Sequence, residues 1–201
     1  MKKITIIIIA VLLFFVTDTY AQENEEVGVV INGIRWATRN VDTPGTFAVN
    51  PEDAGMFYQW NCKTGWSNTD PMINSNCGTI WNNKLPASTN WEKVNDPCPK
   101  GWRLPTTSEH QSLANADSYW TTVNGICGRV FGNNNNTLFL PAAGYRYNTG
   151  GSLDDVGTNG LYRSSSMGGT NAYYLYFNSS SISTYSNYNR AYGFSVRCVV
   201  E

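Results

Sequence analysis

The sequence predicts an α+β domain, and three observations predict it. Residues 96–113 run Asp-Pro-Cys-Pro-Lys-Gly-Trp-Arg-Leu-Pro-Thr-Thr-Ser-Glu-His-Gln-Ser-Leu. Prolines force an extended approach, and Thr106 and Glu109 then stand at the Thr-x-x-Glu spacing of a helix capping box. Six short apolar or alternating segments follow that helix, separated by glycine- or asparagine-rich turns. Strands gathered after a helix, rather than alternating with helices, indicate α+β over a parallel α/β sheet. The composition agrees: only 14% of residues are charged, 13% are aromatic and 18 are glycine, which suits a loop-rich β-containing domain.

In chain order, residues 1–21 have the form of a secretory signal peptide. Lys2 and Lys3 precede an apolar run from Ile4 to Val16, and a small residue, Ala21, ends the stretch. The run is shorter than the ~20 residues that span a bilayer, so no stable membrane span is expected in the mature chain. Residues 22–27 form a flexible acidic tail. Val27 to Thr38 alternates around Asn32-Gly33, a two-residue hairpin signal. Residues 40–55, with Pro44, Gly45, Pro51 and Gly55, make a loop, and Met56–Trp60 a short strand. From Asn61 to Pro97 there is little periodicity, which is unusual unless the stretch is functional or stapled. The helix spans Thr106 to about Ala116. The six strands are expected near 128–131, 137–140, 144–148, 161–166, 173–177 and 193–200. A single domain covers 28–201.

Charge excludes some functions. Cleavage after Ala21 removes Lys2, Lys3 and Asp18, leaving 12 basic and 14 acidic residues, a net charge near −2. That balance is no footprint for nucleic acid, nor for an anionic membrane surface. Five cysteines behind a signal peptide imply an oxidising compartment and an exported, extracellular or surface location, with the periplasm as the other possibility. Cys98, at the helix entry, is expected to pair with Cys198. Such a bridge would close a loop of about 100 residues, worth about 4–5 kcal/mol in the chain-entropy model. Cys62 and Cys77 flank the turn-rich segment and are expected to staple it, leaving Cys127 over; other pairings of these three remain open.

Several motifs resemble the Fibrobacter succinogenes major paralogous domain family. They are Trp36-Ala-Thr-Arg-Asn-Val41, the Gly55–Trp60 strand, Asp96-Pro-Cys-Pro, Gly101-Trp-Arg-Leu-Pro-Thr106, Leu138-Phe-Leu-Pro-Ala-Ala-Gly-Tyr-Arg146 and Gly193-Phe-Ser-Val-Arg-Cys198. The resemblance implies a C-type-lectin-like fold with small antiparallel sheets and one or two helices, in a family of secreted and surface proteins. It also supports the Cys98–Cys198 bridge. The Arg-Leu-Pro-Thr-x-x-Glu helix start is similar, too, to that of sulfatase-modifying enzymes that generate formylglycine. The sequence departs from the family at Leu161-Tyr-Arg-Ser164, where Tyr-Trp-Ser-Ser is usual, and Cys62, Cys77 and Cys127 do not belong to the pattern. The family has no established activity.

No catalytic constellation is present. No two cysteines are spaced as C-x-x-C, and the one histidine, His110, precedes Leu113 and Ala114 on one helical face, as a core histidine would. Asp154-Asp155 forms a solvated turn more readily than a cation site. No cofactor or metal is expected. The aromatics offer the best hint of a ligand surface: Tyr145, Arg146 and Tyr147, and again Tyr185, Asn187, Tyr188 and Arg190, place rings beside amides and guanidinium groups. The expectation is a non-enzymatic binding module that presents stapled loops to a glycan or surface protein. A structural subunit of a surface or pilus-type assembly is the alternative, and a formylglycine-generating enzyme the remote one.

Overall fold

The computed structural model describes residues 26–84 and 88–201. The expected signal peptide, and residues 22–25 of the acidic tail, lie outside the described residues. Glu26, assigned to that tail, is held in place. Its carboxylate accepts from the Thr38 N–H at 2.7 Å and from the Arg39 Nε at 2.8 Å.

The Asn32-Gly33 turn forms with both residues at positive φ, 48° and 82°. This is the mirror-image turn whose twist matches the strands it joins. It links β1 (Val29–Ile31) to β2 (Ile34–Trp36). The Met56–Trp60 strand shortens to β3 (Phe57–Tyr58), which pairs with β4 (Gly65–Trp66). Beyond it comes β5 (Trp102–Arg103), then α1 (Thr107–Ala114), the one α-helix among the described residues. Both halves of the capping box are made: Thr106 Oγ1 accepts from the Glu109 N–H at 3.3 Å, and Glu109 Oε2 accepts from the Thr106 N–H at 2.7 Å.

From there the regular elements are all strands, joined by turns and loops. A meander of β6 (Ser118–Val123), β7 (Ile126–Asn133) and β8 (Asn136–Pro141) leads to the hairpin of β9 (Tyr145–Arg146) with β10 (Leu153–Asp154). The two longest later strands, β11 (Gly160–Gly168) and β12 (Asn171–Phe177), pair with each other, and β12 also pairs with β13 (Ile182–Ser183) and β14 (Asn187–Asn189). Finally β15 (Val199–Val200) inserts between β2 and β5, giving a sheet ordered β1-β2-β15-β5. Both ends of the described chain therefore share one sheet. The Cys98–Cys198 disulfide, with Cα atoms 6.1 Å apart, locks the approach to α1 against that last strand.

This architecture corrects the expected class. Among the described residues one eight-residue helix stands beside five small sheets, each paired antiparallel, so the molecule is mostly β rather than α+β. The lectin-like assignment falls with that class. Sequence reasoning overlooked β6, whose Ser-Tyr-Trp-Thr-Thr-Val pattern is neither alternating nor apolar. It forms because each of its residues has a partner on β7. The strand expected over 193–200 shrinks to β15. Its earlier part is held by single bridges from Phe194 to Tyr58 and from Gly193 to Arg146.

The core has Trp36, Leu113, Phe131, Leu138, Leu140, Tyr162 and Phe177 at its centre. His110 is buried there and stacks on Trp36 with ring centroids 5.8 Å apart. Burial holds it neutral, its pKa lowered to about 3.

Three arginines, Arg146, Arg163 and Arg197, are also fully buried. Each serves loop backbone. Arg197 donates to the Asn40 side chain at 2.9 Å and to the carbonyls of Ala37 and Phe139, both at 3.2 Å. Arg146 donates to the carbonyls of Ser67, Thr69 and Gly151 and to the Asp70 carboxylate. Arg163 donates to the Tyr58 and Tyr192 carbonyls and lies 4.2 Å over the Phe194 ring. Irregular segments have no ladder to satisfy their carbonyls, and a guanidinium supplies five donors from one point.

Candidate functional site

The extended chain of β9 and the residue after it alternates, sending Tyr145 and Tyr147 outward and Arg146 inward. Tyr147 is 39% exposed, whereas Arg146 is wholly enclosed by the 67–70 loop. Arg146 therefore belongs to the scaffold and not to a ligand surface, contrary to expectation. The same correction applies to Arg190. It is 6% exposed, donates to the carbonyls of Ser88 and Gly169, and packs 4.4 Å over Trp60.

The tyrosines do come together. Arg146 and Gly193 exchange two backbone hydrogen bonds, each 2.9 Å, which lays the 145–147 segment beside 192–194. Tyr192, which sequence reasoning missed, is the hub. Its ring lies 5.7 Å from Tyr145, 5.2 Å from Tyr147 and 5.0 Å from Tyr188, the last pair stacked. Tyr188 in turn stacks on Tyr174 at 5.2 Å, because β14 runs antiparallel to β12 with Tyr188 opposite Ala172. Phe194 supports the group from below, packed against Tyr145, Tyr174 and Tyr192. The face thus joins the two tyrosine groups read from the sequence through a residue neither contained.

A cavity of about 300 Å³ opens on this face, walled by Tyr145, Tyr174, Tyr176 and Tyr188. Its polar end is a relay. The Asn178 side chain donates to the Tyr176 hydroxyl at 2.8 Å, that hydroxyl to Asn159 at 3.2 Å, and Asn159 to the Asp155 carboxylate at 2.6 Å. Asp154 sits alongside and accepts from the Tyr145 hydroxyl at 3.4 Å. Partial burial, then the Asp154 and Asp155 charges, push the Tyr145 phenol up to about 12. The Tyr145 phenol is therefore a neutral donor and acceptor at physiological pH, and the formal charge at the pocket, from Asp154 and Asp155, is negative.

The remaining expected residues stand at the margin. Tyr185 is 76% exposed, next to the pocket-lining Ser186. Asn187 is exposed, and its side-chain oxygen accepts from Asn171 at 2.9 Å. Among the described residues no group of three or more His, Cys, Asp and Glu side chains is placed to hold a metal. No described helix is long and apolar enough to cross a membrane.

Cys62 and Cys77 are unbridged here, which overturns the expected staple, and Cys127 is free as well. Cys77 faces solvent in a tight turn at φ 62°, and the Asn74 side chain closes that turn by accepting from the Asn76 and Gly78 N–H groups. The long segment is secured instead by rings and a guanidinium. Trp66 packs on Trp81 at 4.9 Å, Trp81 Nε1 donates to the Asn148 carbonyl, and Arg146 grips residues 67–70.

A family model described as a domain of unknown function (DUF8237) matches residues 113–199. That span holds every tyrosine of the face and Cys198, but not Cys98. No curated protein and no solved structure matches the chain.

Proposed function

We propose that this chain is an exported, non-enzymatic binding module whose tyrosine face takes a neutral glycan. The observation that carries the reading is a tyrosine face drawn from three separated segments: Tyr145, Tyr174 and Tyr188 line a 300 Å³ pocket ending in Asn159 and Asp155, and Tyr192 packs its ring against Tyr145, Tyr147 and Tyr188 beside it. Flat rings offer apolar faces to the C–H side of a pyranose, while amide and carboxylate oxygens take its hydroxyls. With Arg146 and Arg190 withdrawn into the scaffold, Asp154 and Asp155 disfavour sulfated or carboxylated sugars.

Export is supported by the leader-like residues 1–21, the disulfide and the motif resemblance to the Fibrobacter succinogenes major paralogous domain family. A disulfide is compatible with an oxidising compartment rather than diagnostic of one. A glycan array read with the purified protein tests the proposal. Signal confined to neutral glycans, and weakened about tenfold by Tyr192→Ala (about 1.4 kcal/mol), is the expected outcome. A preference for anionic glycans would overturn the charge argument. Silence on the array together with co-purification of pilus-type subunits would assign the chain to a surface assembly instead.

A further inference from the structure

A second cleft, of about 630 Å³, lies between the 42–55 loop, the β6–β7 turn and the segments at 141–143 and 156–157, and it shares no residue with the tyrosine pocket. Scattered exposed apolar residues are ordinary on a protein surface. Here Val49 (82% exposed), Val156 (57%) and Ile126 (43%) line one concavity and leave its wall apolar. Three half-buried carboxylates, Asp42, Glu52 and Asp53, stand in the same wall, and among the described residues no Lys or Arg lines it. The bonds these acids make do not cancel their charge. Glu52 accepts from the Asn124 side chain at 2.5 Å and Asp53 from the Asn50 N–H at 2.8 Å, both neutral amides. Carboxylates in a concave, low-dielectric wall focus negative potential into the space between them.

We propose that this cleft docks a short segment of a partner protein in which an aliphatic side chain stands next to a lysine or arginine. The aliphatic group covers Val49, Ile126 and Val156, and the cation takes a position among Asp42, Glu52 and Asp53. Charge complementarity selects this occupant: an acidic segment or a nucleic acid would set like charges against one another inside the cleft. The site is independent of the tyrosine face, so either can fail without the other.

Fluorescein-labelled octapeptides test the assignment, one alternating leucine with lysine and one alternating leucine with glutamate. The lysine peptide is expected to bind and the glutamate peptide not to. Affinity should fall about fivefold or more between ~50 and ~500 mM salt, as screening of a charge pair requires. Asp42→Asn with Glu52→Gln should weaken binding about fivefold. Val156→Lys, at an exposed position outside the core, should do the same, so the result does not rest on variants that might misfold. Bound peptide should slow alkylation of Cys127, which lines the cleft. Tyr188→Ala should leave the affinity unchanged. Failure of the lysine peptide to bind, equal binding of both peptides, indifference to Val156→Lys, or weakening by Tyr188→Ala would each overturn the proposal. So would equally tight binding of n-hexylamine, which would make the ligand a free amine rather than a protein segment.

Discussion

At the scale of single residues, the buried arginines decide how a molecule with so much irregular backbone remains ordered. Arg197 replaces a missing ladder by donating to four acceptors from three segments, at Ala37 and Asn40, at Pro51 and at Phe139. Arg197→Met keeps the apolar stem but strands those acceptors. It is expected to cost about 3–5 kcal/mol, read as a lowered midpoint in urea; an unchanged midpoint would show that water can replace the guanidinium. His110 makes the opposite kind of contribution. Its folded pKa, about 3, lies below the 6.5 of an exposed imidazole because burial penalises the cation. The unfolded chain therefore binds the extra proton first. His110 is no burden above pH 6.5, and stability falls as pH drops from about 6.5 toward 3, by up to about 1.4 kcal/mol per unit. His110→Phe should flatten that slope over the same window, and an identical slope in the variant would remove His110 from the account.

Among the elements, α1 shows how much a short helix depends on its start. Eight residues are too few to be stable alone, so the cap and the packing against β11 and β12 must hold it. Arg103 strengthens the cap by gripping both oxygens of Glu109, at 2.9 and 2.6 Å. Burial would raise the Glu109 pKa, but the Arg103 guanidinium and the Thr106 N–H outweigh it and hold the carboxyl below the usual range. Thr106→Ala removes one half of the reciprocal cap and should cost about 1 kcal/mol in thermal or chemical denaturation. A loss below a few tenths would mean that the Arg103–Glu109 pair suffices without it. Over residues 145–147 the alternation that turns Tyr145 and Tyr147 outward necessarily buries the arginine between them, so one short segment supplies both the rings of the tyrosine face and a loop anchor.

For the whole molecule, closure comes from the sheet β1-β2-β15-β5 and the disulfide beside it. The bridge spans a sequence separation of 100, so it constrains most of the unfolded chain. Replacing both Cys98 and Cys198 by serine should lower stability by about 2–5 kcal/mol, measured by denaturation under oxidising conditions. Replacing Cys62 and Cys77 should change it little, and the native protein should titrate with three accessible or slowly accessible thiols, Cys62, Cys77 and Cys127. A titre of one would restore a bridge between two of them.

The amino-acid order alone determined what depends on near neighbours. The Asn32-Gly33 turn, the Thr106–Glu109 cap and most of the later strands follow from local backbone preference and side-chain spacing, which a few residues are enough to express. Tyr145, Tyr147 and Tyr188 could be picked out as candidates for one aromatic face for a related reason, since rings beside amides in a polar stretch are visible without a fold. Only the tertiary structure decided the class, the roles of the arginines and the hub. Ser118–Val123 becomes a strand because β7 offers it partners. Arg146 and Arg190 turn inward because distant carbonyls need donors, and Tyr192 joins the tyrosine groups only once Gly193 pairs with Arg146. Those outcomes rest on contacts between residues far apart in the chain, whose free energy exists only after the chain has folded.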